Sequence, residues 1–250
     1  MFKIGCCGWG FHKGGLKGYQ KKFSVVEVQQ TFYKLPMVKT VERWKVEAPE
    51  GFEFVIKAWQ GITHLPDSPT WRRSGWKPEE LKRKQLGWLR PTKDNFEAWI
   101  RTREICDALG ARMCVIQCPP NFKCVPKNIE NMRKFLLEID RGELALAWEP
   151  RGDWDENPEK IEQLCNELDL VHVVDLMRRK PLSKHSIVYI RLHGLNPREH
   201  DYNYDYSMGE IRRLAGKVKK LDEKHDEVYV MFNNFQMYKN ASQLIKILKI

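Results

Sequence analysis

The sequence predicts a single closed (β/α)8 barrel of the TIM type, and two observations carry the prediction. Eight short apolar segments recur near 2–7, 25–31, 52–58, 112–118, 144–149, 170–175, 186–193 and 227–233, with helix-period stretches between nearly all of them. Strands joined through helices pair in parallel with right-handed crossovers, and eight of them can close without leaving an edge. The second observation is parity. Segments such as Ile187-Val-Tyr-Ile-Arg-Leu-His193 and Phe52-Glu-Phe-Val-Ile-Lys-Ala58 carry polar residues on one parity near their C-terminal ends. Alternate strand side chains point to opposite faces, so the apolar parity packs on helices and the polar parity looks into a barrel. An open doubly wound sheet would tolerate far fewer inward polar residues. At 250 residues the chain has the length of one such barrel and reads as one domain, 1–250.

Taken in order, the inward parity of strand one gives Lys3, Cys7 and Trp9, and that of strand two Glu27, Gln29 and Thr31. Strand three gives Glu53 and Lys57, strand four Gln117, and strand five Glu149 with Arg151 just beyond. Asp175, Arg191, His193 and Asn233 complete the circuit. The intervening helices are expected near 16–22, 39–47, 94–109, 128–138, 158–168 and 208–224, with 239–249 closing the chain. The sixth connection, around 178–183, is too short for one. Two connections are long: 59–94, which Trp71, Trp76 and Trp88 should keep ordered, and 194–207, where Tyr202, Tyr204 and Tyr206 alternate with polar residues. Both follow strands and so belong over the C-terminal mouth, where barrel enzymes keep their sites.

Composition narrows the class. With 42% hydrophobic and 30% charged residues, the chain reads as an ordinary globular protein rather than a disordered one. No apolar run reaches the roughly 18–20 residues of a membrane span, so no membrane partner and a cytoplasmic location are expected. The net charge of +10, from 43 Lys+Arg against 33 Asp+Glu, points to a polyanionic partner, nucleic acid being the commonest. A lysine-rich surface with both signs abundant is the alternative. Seven cysteines in this length do not form a disulfide scaffold. Cys106, Cys114 and Cys165 lie within helix or strand patterns as small apolar residues, whereas Cys6, Cys7, Cys118 and Cys124 fall near strand ends.

Low in the barrel, Lys3, Glu27 and Glu53 are expected as a buried ion-pair network. Nearer the mouth, three chemistries fit the ring. Lys57, Arg151, Arg191 and the loop pair Arg72 and Arg73 suit phosphate or carboxylate oxygens. Glu149 or Asp175 would then be the general base and His193 an acid or base near neutral pH. Alternatively Glu149, Asp175, His193 and Asn233 suit a divalent metal, although Arg151 and Arg191 compete for those carboxylates. A Schiff base at Lys57 is the third, and a carboxylate-paired lysine its simpler rival. Cys6 or Cys7 with Cys118 and Cys124 could build a zinc or iron–sulfur site only in three dimensions, since no standard spacing is present.

The chain resembles the YecE-like proteins, domain-of-unknown-function family 72. The resemblance is carried by Ile4-Gly-Cys-Cys-Gly-Trp9, Val26-Glu-Val-Gln-Gln-Thr-Phe-Tyr33, Phe52-Glu-Phe-Val-Ile-Lys-Ala58 and Ile62-Thr-His64. It continues through Gln117-Cys-Pro-Pro120, Trp148-Glu-Pro-Arg151 with Trp154, Tyr189-Ile-Arg-Leu-His-Gly194 and Phe232-Asn-Asn234. It implies a TIM-type barrel with its pocket at the strands' C-terminal ends, and it supplies no reaction. Many members read Thr-Ser at the Cys6-Cys7 positions and an apolar residue at Cys118. The Gln29-Gln30-Thr31 and Ser68-Pro-Thr-Trp-Arg-Arg73 segments resemble an archaeal-type branch.

The functional expectation is an enzyme using acid/base chemistry, hydrolysis first, on a phosphate-bearing or nucleic-acid substrate. Its catalytic residues would be Glu149, Asp175 and His193. Substrate would be held by Trp9, Lys57, His64, Arg72, Arg73, Gln117, Arg151, Arg191 and Asn233, with Trp9 and the 194–207 tyrosines stacking on a ring. The alternatives are a non-catalytic nucleic-acid-binding protein, and a metal- or cluster-dependent enzyme using Cys6, Cys7, Cys118 and Cys124.

Overall fold

In the computed structural model, which describes residues 1–199 and 201–249, eight parallel strands follow one another in chain order around a closed barrel. They are β1 (Phe2–Cys6), β2 (Val25–Val28), β3 (Glu53–Lys57), β4 (Met113–Gln117), β5 (Ala145–Glu149), β6 (Leu170–Val174), β7 (Ile187–Leu192) and β8 (Glu227–Phe232). Strand β1 pairs along its whole length with β8, from Phe2 opposite Val228 to Cys6 opposite Phe232, so the first and last strands are neighbours. Strands β4 and β6 are buried at every position. A parallel strand covered on both faces reads as a near-continuous apolar run, and Met-Cys-Val-Ile and Leu-Val-His-Val-Val are such runs.

The helices are α1 (Gly15–Gln20), α2 (Gln30–Tyr33), α3 (Val38–Glu47), α4 (Pro78–Lys82), α5 (Lys93–Leu109), α6 (Pro126–Glu138), α7 (Pro158–Glu167), α8 (Met208–Asp222) and α9 (Met237–Leu248). Their ends are written in local chemistry. The Thr92 hydroxyl accepts the Asn95 N–H at the start of α5, and Gly110 closes that helix at φ 69°. Ser207 and Glu210 exchange side-chain bonds as a capping box on α8, and proline opens α6 and α7. Among the described residues no helix is long and apolar enough to cross a membrane.

One strand boundary differs from expectation. β2 ends at Val28, and Gln29 and Thr31, expected to continue it, instead belong to the turn of α2. The Thr31 hydroxyl lies 2.8 Å from the Val28 carbonyl and 2.7 Å from that of Lys57, and bonding to the i−3 carbonyl favours a helical turn over an extended one. Only Glu27 of the three therefore sits on a strand.

By its contacts the chain forms two compact units: Met1–Glu27, Ala48–Phe54 and Val171–Ile250 make one, Val28–Glu47 and Val55–Leu170 the other. The first holds β1, β2 up to Glu27, the start of β3, and β6 to β8. The second holds the rest of β3 with β4 and β5. The long connection after β3 lies in the second and is ordered around Trp59, Trp71 and Trp76, whose ring centroids are 5.7–6.2 Å apart. Asn95 clamps its far end, accepting the Gly87 N–H and donating to the Gly87 and Arg90 carbonyls.

Candidate functional site

In the second unit the ends of β3, β4 and β5 carry Lys57, Gln117 and Glu149, with Gln117 directly opposite Glu149. The Lys57 ammonium donates to Gln117 Oε1 at 2.7 Å and stands 4.1 Å from the centre of the Phe32 ring. Arg151 turns Nε and Nη2 onto one oxygen of Glu149, at 2.8 and 2.6 Å. Lys57, Gln117 and Glu149 are all buried. His64 joins them from the loop after β3, its ring edge-on to Phe32 at 5.0 Å and its Nδ1 2.8 Å from the Thr63 hydroxyl. Burial, then the positive charges of Lys57 and Arg151, lower the His64 pKa to about 3. The imidazole is thus neutral at physiological pH, in a field that is positive.

The first unit holds two polar clusters at different heights. At the strand starts, the Lys3 ammonium binds Glu53 and lies 3.1 Å from Glu227, while the Tyr229 hydroxyl donates to Glu53. Higher up, Arg191 pairs with Glu27 at 3.1 Å, with side chains 1% and 0% exposed. The second Glu27 oxygen accepts from the Tyr189 hydroxyl at 2.8 Å and from the Cys7 thiol at 3.5 Å. Glu27 therefore belongs with Arg191 rather than with Lys3 and Glu53, and Arg191 is engaged in the interior rather than presented as an anion clamp.

Also in this unit, Asp175 follows β6 and His193 follows β7. Asp175 accepts the Met177 N–H at 2.9 Å and the His193 N–H at 3.5 Å, with Arg178 Nε 3.9 Å away. Burial outweighs these contacts and raises its pKa to about 6. Arg178, which strand parity does not single out, donates Nη2 to the Gly194 and Asn196 carbonyls, and the Tyr206 hydroxyl accepts the Gly194 N–H at 2.9 Å. Asp175 and Arg178 are three positions apart, a spacing that could have revealed the pairing.

The 194–207 tyrosines divide by role. Tyr206 is buried in that framework, and Tyr204, half-buried, donates to Glu210. Tyr202 packs against His193, at 5.7 Å. Position 200 of this loop lies outside the described residues.

The remaining expected residues are scattered. Trp9 and Asn233 are half-buried; Arg72 and Arg73 are exposed, and the Arg73 guanidinium covers the Tyr33 ring at 3.8 Å. Phe32 and Tyr33, which seat the two cations Lys57 and Arg73, are not legible as functional residues, because strand periodicity carries β2 on to position 31. Among the described residues, no three of His, Cys, Asp and Glu are grouped to hold a metal ion. Burial first of all raises the thiol pKa of Cys6, Cys7, Cys118 and Cys124, to about 12 for Cys118. In Cys6, Cys7 and Cys118, which are buried, the protonated thiol is a small apolar group.

The fold and these strand-end residues define a (β/α)8 protein with polar, titratable groups at the C-terminal ends of its strands. The chain belongs to the family described as "Protein of unknown function DUF72", whose model matches residues 3–250. It is 24% identical over 290 aligned residues to the UPF0759 protein YunF of Bacillus subtilis (strain 168), covering 100% of this chain and 95% of that one. A DUF72 family crystal structure from Thermotoga maritima is similar at TM-score 0.71 and 26% identity, with 100% of both chains covered. Another from Enterococcus faecalis gives TM-score 0.74 and 23% identity, covering 100% and 98%. The fold alone extends further, to endonuclease IV from Thermus thermophilus (TM-score 0.52, 12% identity, 99% and 97% covered) and to a xylose isomerase domain-containing protein of Salmonella typhimurium (0.57, 13%, 99% and 98%).

Proposed function

We propose that this chain is an enzyme that hydrolyses a phosphate ester by acid/base catalysis, and that Lys57 and Arg151 hold the phosphate. The observation that carries the reading is the electrostatic field at His64. An imidazole held neutral by burial first and then by the charges of Lys57 and Arg151 suits a place where a phosphate oxygen is stabilised, and the neutral ring can donate a hydrogen bond without adding charge. Endonuclease IV shares the fold, which supports a phosphate ester without assigning one.

Arg151 gives the site its logic. Its Nε–Nη2 fork, now on Glu149, matches a phosphate equally well. An arriving phosphate competes for that fork, and Glu149 then loses its counter-ion and becomes more basic. A water gives a proton to Glu149 as its oxygen bonds to phosphorus and the ester P–O bond breaks; the leaving oxygen departs with the bonding pair and takes a proton from solvent. In the other unit Asp175, titrating at about 6, is that unit's acid–base candidate, with His193 beside it. Seven free cysteines, six of them buried, favour a reducing cytoplasmic setting.

Calorimetric titration with inorganic phosphate and turnover of a chromogenic phosphodiester test this reading. Lys57→Met and Arg151→Ala should each weaken phosphate binding at least tenfold. Glu149→Gln should abolish turnover while binding phosphate as well as the parent or better, because a competitor for Arg151 has gone. Unchanged turnover in Glu149→Gln, or no phosphate binding by the parent, would refute it.

A further inference from the structure

The segment between β1 and β2 takes no part in the proposed chemistry, yet its composition is extreme. The first 26 residues contain five lysines and no Asp or Glu. Lys13, Lys17, Lys21 and Lys22 are all exposed. Among them stands Phe11, 95% exposed, and Phe235 beyond β8 is 72% exposed. Leaving two phenylalanine rings in water forgoes the hydrophobic gain of burying them.

The loops that carry the two rings are tied together. The Cys7 N–H donates to the Phe232 carbonyl at 2.9 Å, so the loops holding Phe11 and Phe235 leave adjacent strands. Tyr238, three residues past Phe235, packs edge-on against His12 at 4.9 Å, and its hydroxyl donates to the Gly8 carbonyl at 3.4 Å. The Phe11 loop is itself closed by His12 N–H to Trp9 carbonyl and Gly15 N–H to His12 carbonyl bonds, both 2.9 Å, with Gly14 at φ 86° making the turn. Phe235 donates its N–H to the Tyr202 carbonyl at 2.9 Å. Both rings are thus presented on hydrogen-bonded loops, and the charged residues that follow Phe11 in sequence up to β2 are all lysines.

We propose that this surface binds single-stranded nucleic acid, bases stacking on Phe11 and Phe235 and phosphates meeting Lys13, Lys17, Lys21 and Lys22. Exposed rings beside a run of exposed lysines suit unstacked bases on a polyanion, and the absence of hydrogen-bonding readout on a phenyl ring makes the contact tolerant of sequence. A duplex keeps its bases stacked and offers the rings nothing. An interfacial membrane helix would need a long apolar face, whereas α1 has six residues. The inference goes beyond the proposed function and stands whether or not that reading holds.

Fluorescence anisotropy with labelled oligothymidylate, the same strand in a duplex, and sedimentation with phosphatidylserine vesicles decide it. The parent should bind the single strand in preference to the duplex and to the vesicles. Phe11→Ala with Phe235→Ala should weaken that binding about tenfold or more. Changing the four lysines to glutamine should flatten the slope of log K against log salt by about three. All six side chains are exposed, and an unchanged melting curve confirms folding. No single-strand binding, an intact affinity in the phenylalanine variant, or tighter capture by vesicles or duplex would overturn the proposal. Phosphate titration separates the two readings: if oligothymidylate fails while phosphate still binds through Lys57 and Arg151, only the strand surface falls. If phosphate fails while the strand binds, only the hydrolytic reading does.

Discussion

Arg191 and Glu27 form an ion pair of 3.1 Å with both side chains essentially sealed from solvent. Removing one member of such a pair strands the other charge, which typically costs about 3–5 kcal/mol, whereas replacing both with apolar groups is often neutral. Glu27→Gln should therefore lower the urea-denaturation free energy by about that amount. The double change Glu27→Met, Arg191→Met should lose less than the single one. Additive losses would mean the pair is not coupled.

His64 gives a stability signature in acid. Its folded pKa, about 3, lies below the ordinary 6.5, so between these values the unfolded chain takes up the proton first. The resulting stabilisation is complete above pH 6.5 and is lost as pH falls towards 3, by up to about 1.4 kcal/mol per unit. His64→Gln should flatten this acid limb. Nitrogen-15 spectra should show a neutral ring at pH 5, and phosphate should raise its titration point.

Asp175 has the opposite sign. Its folded pKa is about 6 against an ordinary 3.8, so the folded chain holds the proton longer. That contribution is complete below pH 3.8 and is lost as pH rises through 6. Asp175→Asn should remove this dependence, at a constant cost of about 1–3 kcal/mol, since one of the Met177 and His193 N–H groups would face an amide donor. Infrared titration should find a carboxyl changing near pH 6; a value near 4 would contradict the buried placement.

Gly194 sits at φ 112°, where an added Cβ would collide with Cβ of Tyr204. Arg178 and Tyr206 grip its carbonyl and N–H, so the backbone cannot easily yield. Gly194→Ala should cost at least 1–3 kcal/mol in melting experiments, roughly the strain of a forced backbone. Tyr206→Phe should cost about 1–3 kcal/mol by orphaning one buried N–H.

The strands are legible because burial on both sides leaves near-continuous apolar runs, broken on one parity by polar residues such as Lys57, Glu149 and Arg191. The end of β2 was not, because Thr31 obeys its own hydroxyl chemistry rather than strand periodicity. The tyrosines at 202, 204 and 206 alternate as a strand would, yet two of them serve the loop's internal bonds and one meets His193.

Local period and capping are enough to set the barrel, the order of its elements and which side chains leave the apolar face. The partners come from the assembled fold. Tyr189 reaches Glu27 across 162 residues, and Glu27 chooses Arg191 over Lys3. Such choices depend on strand stagger and height in a closed sheet, which are properties of the assembled barrel and of no single segment. His64 acquires its neutrality in the same way, from burial first and then from Lys57 and Arg151, both of which the fold, and not the neighbouring sequence, supplies.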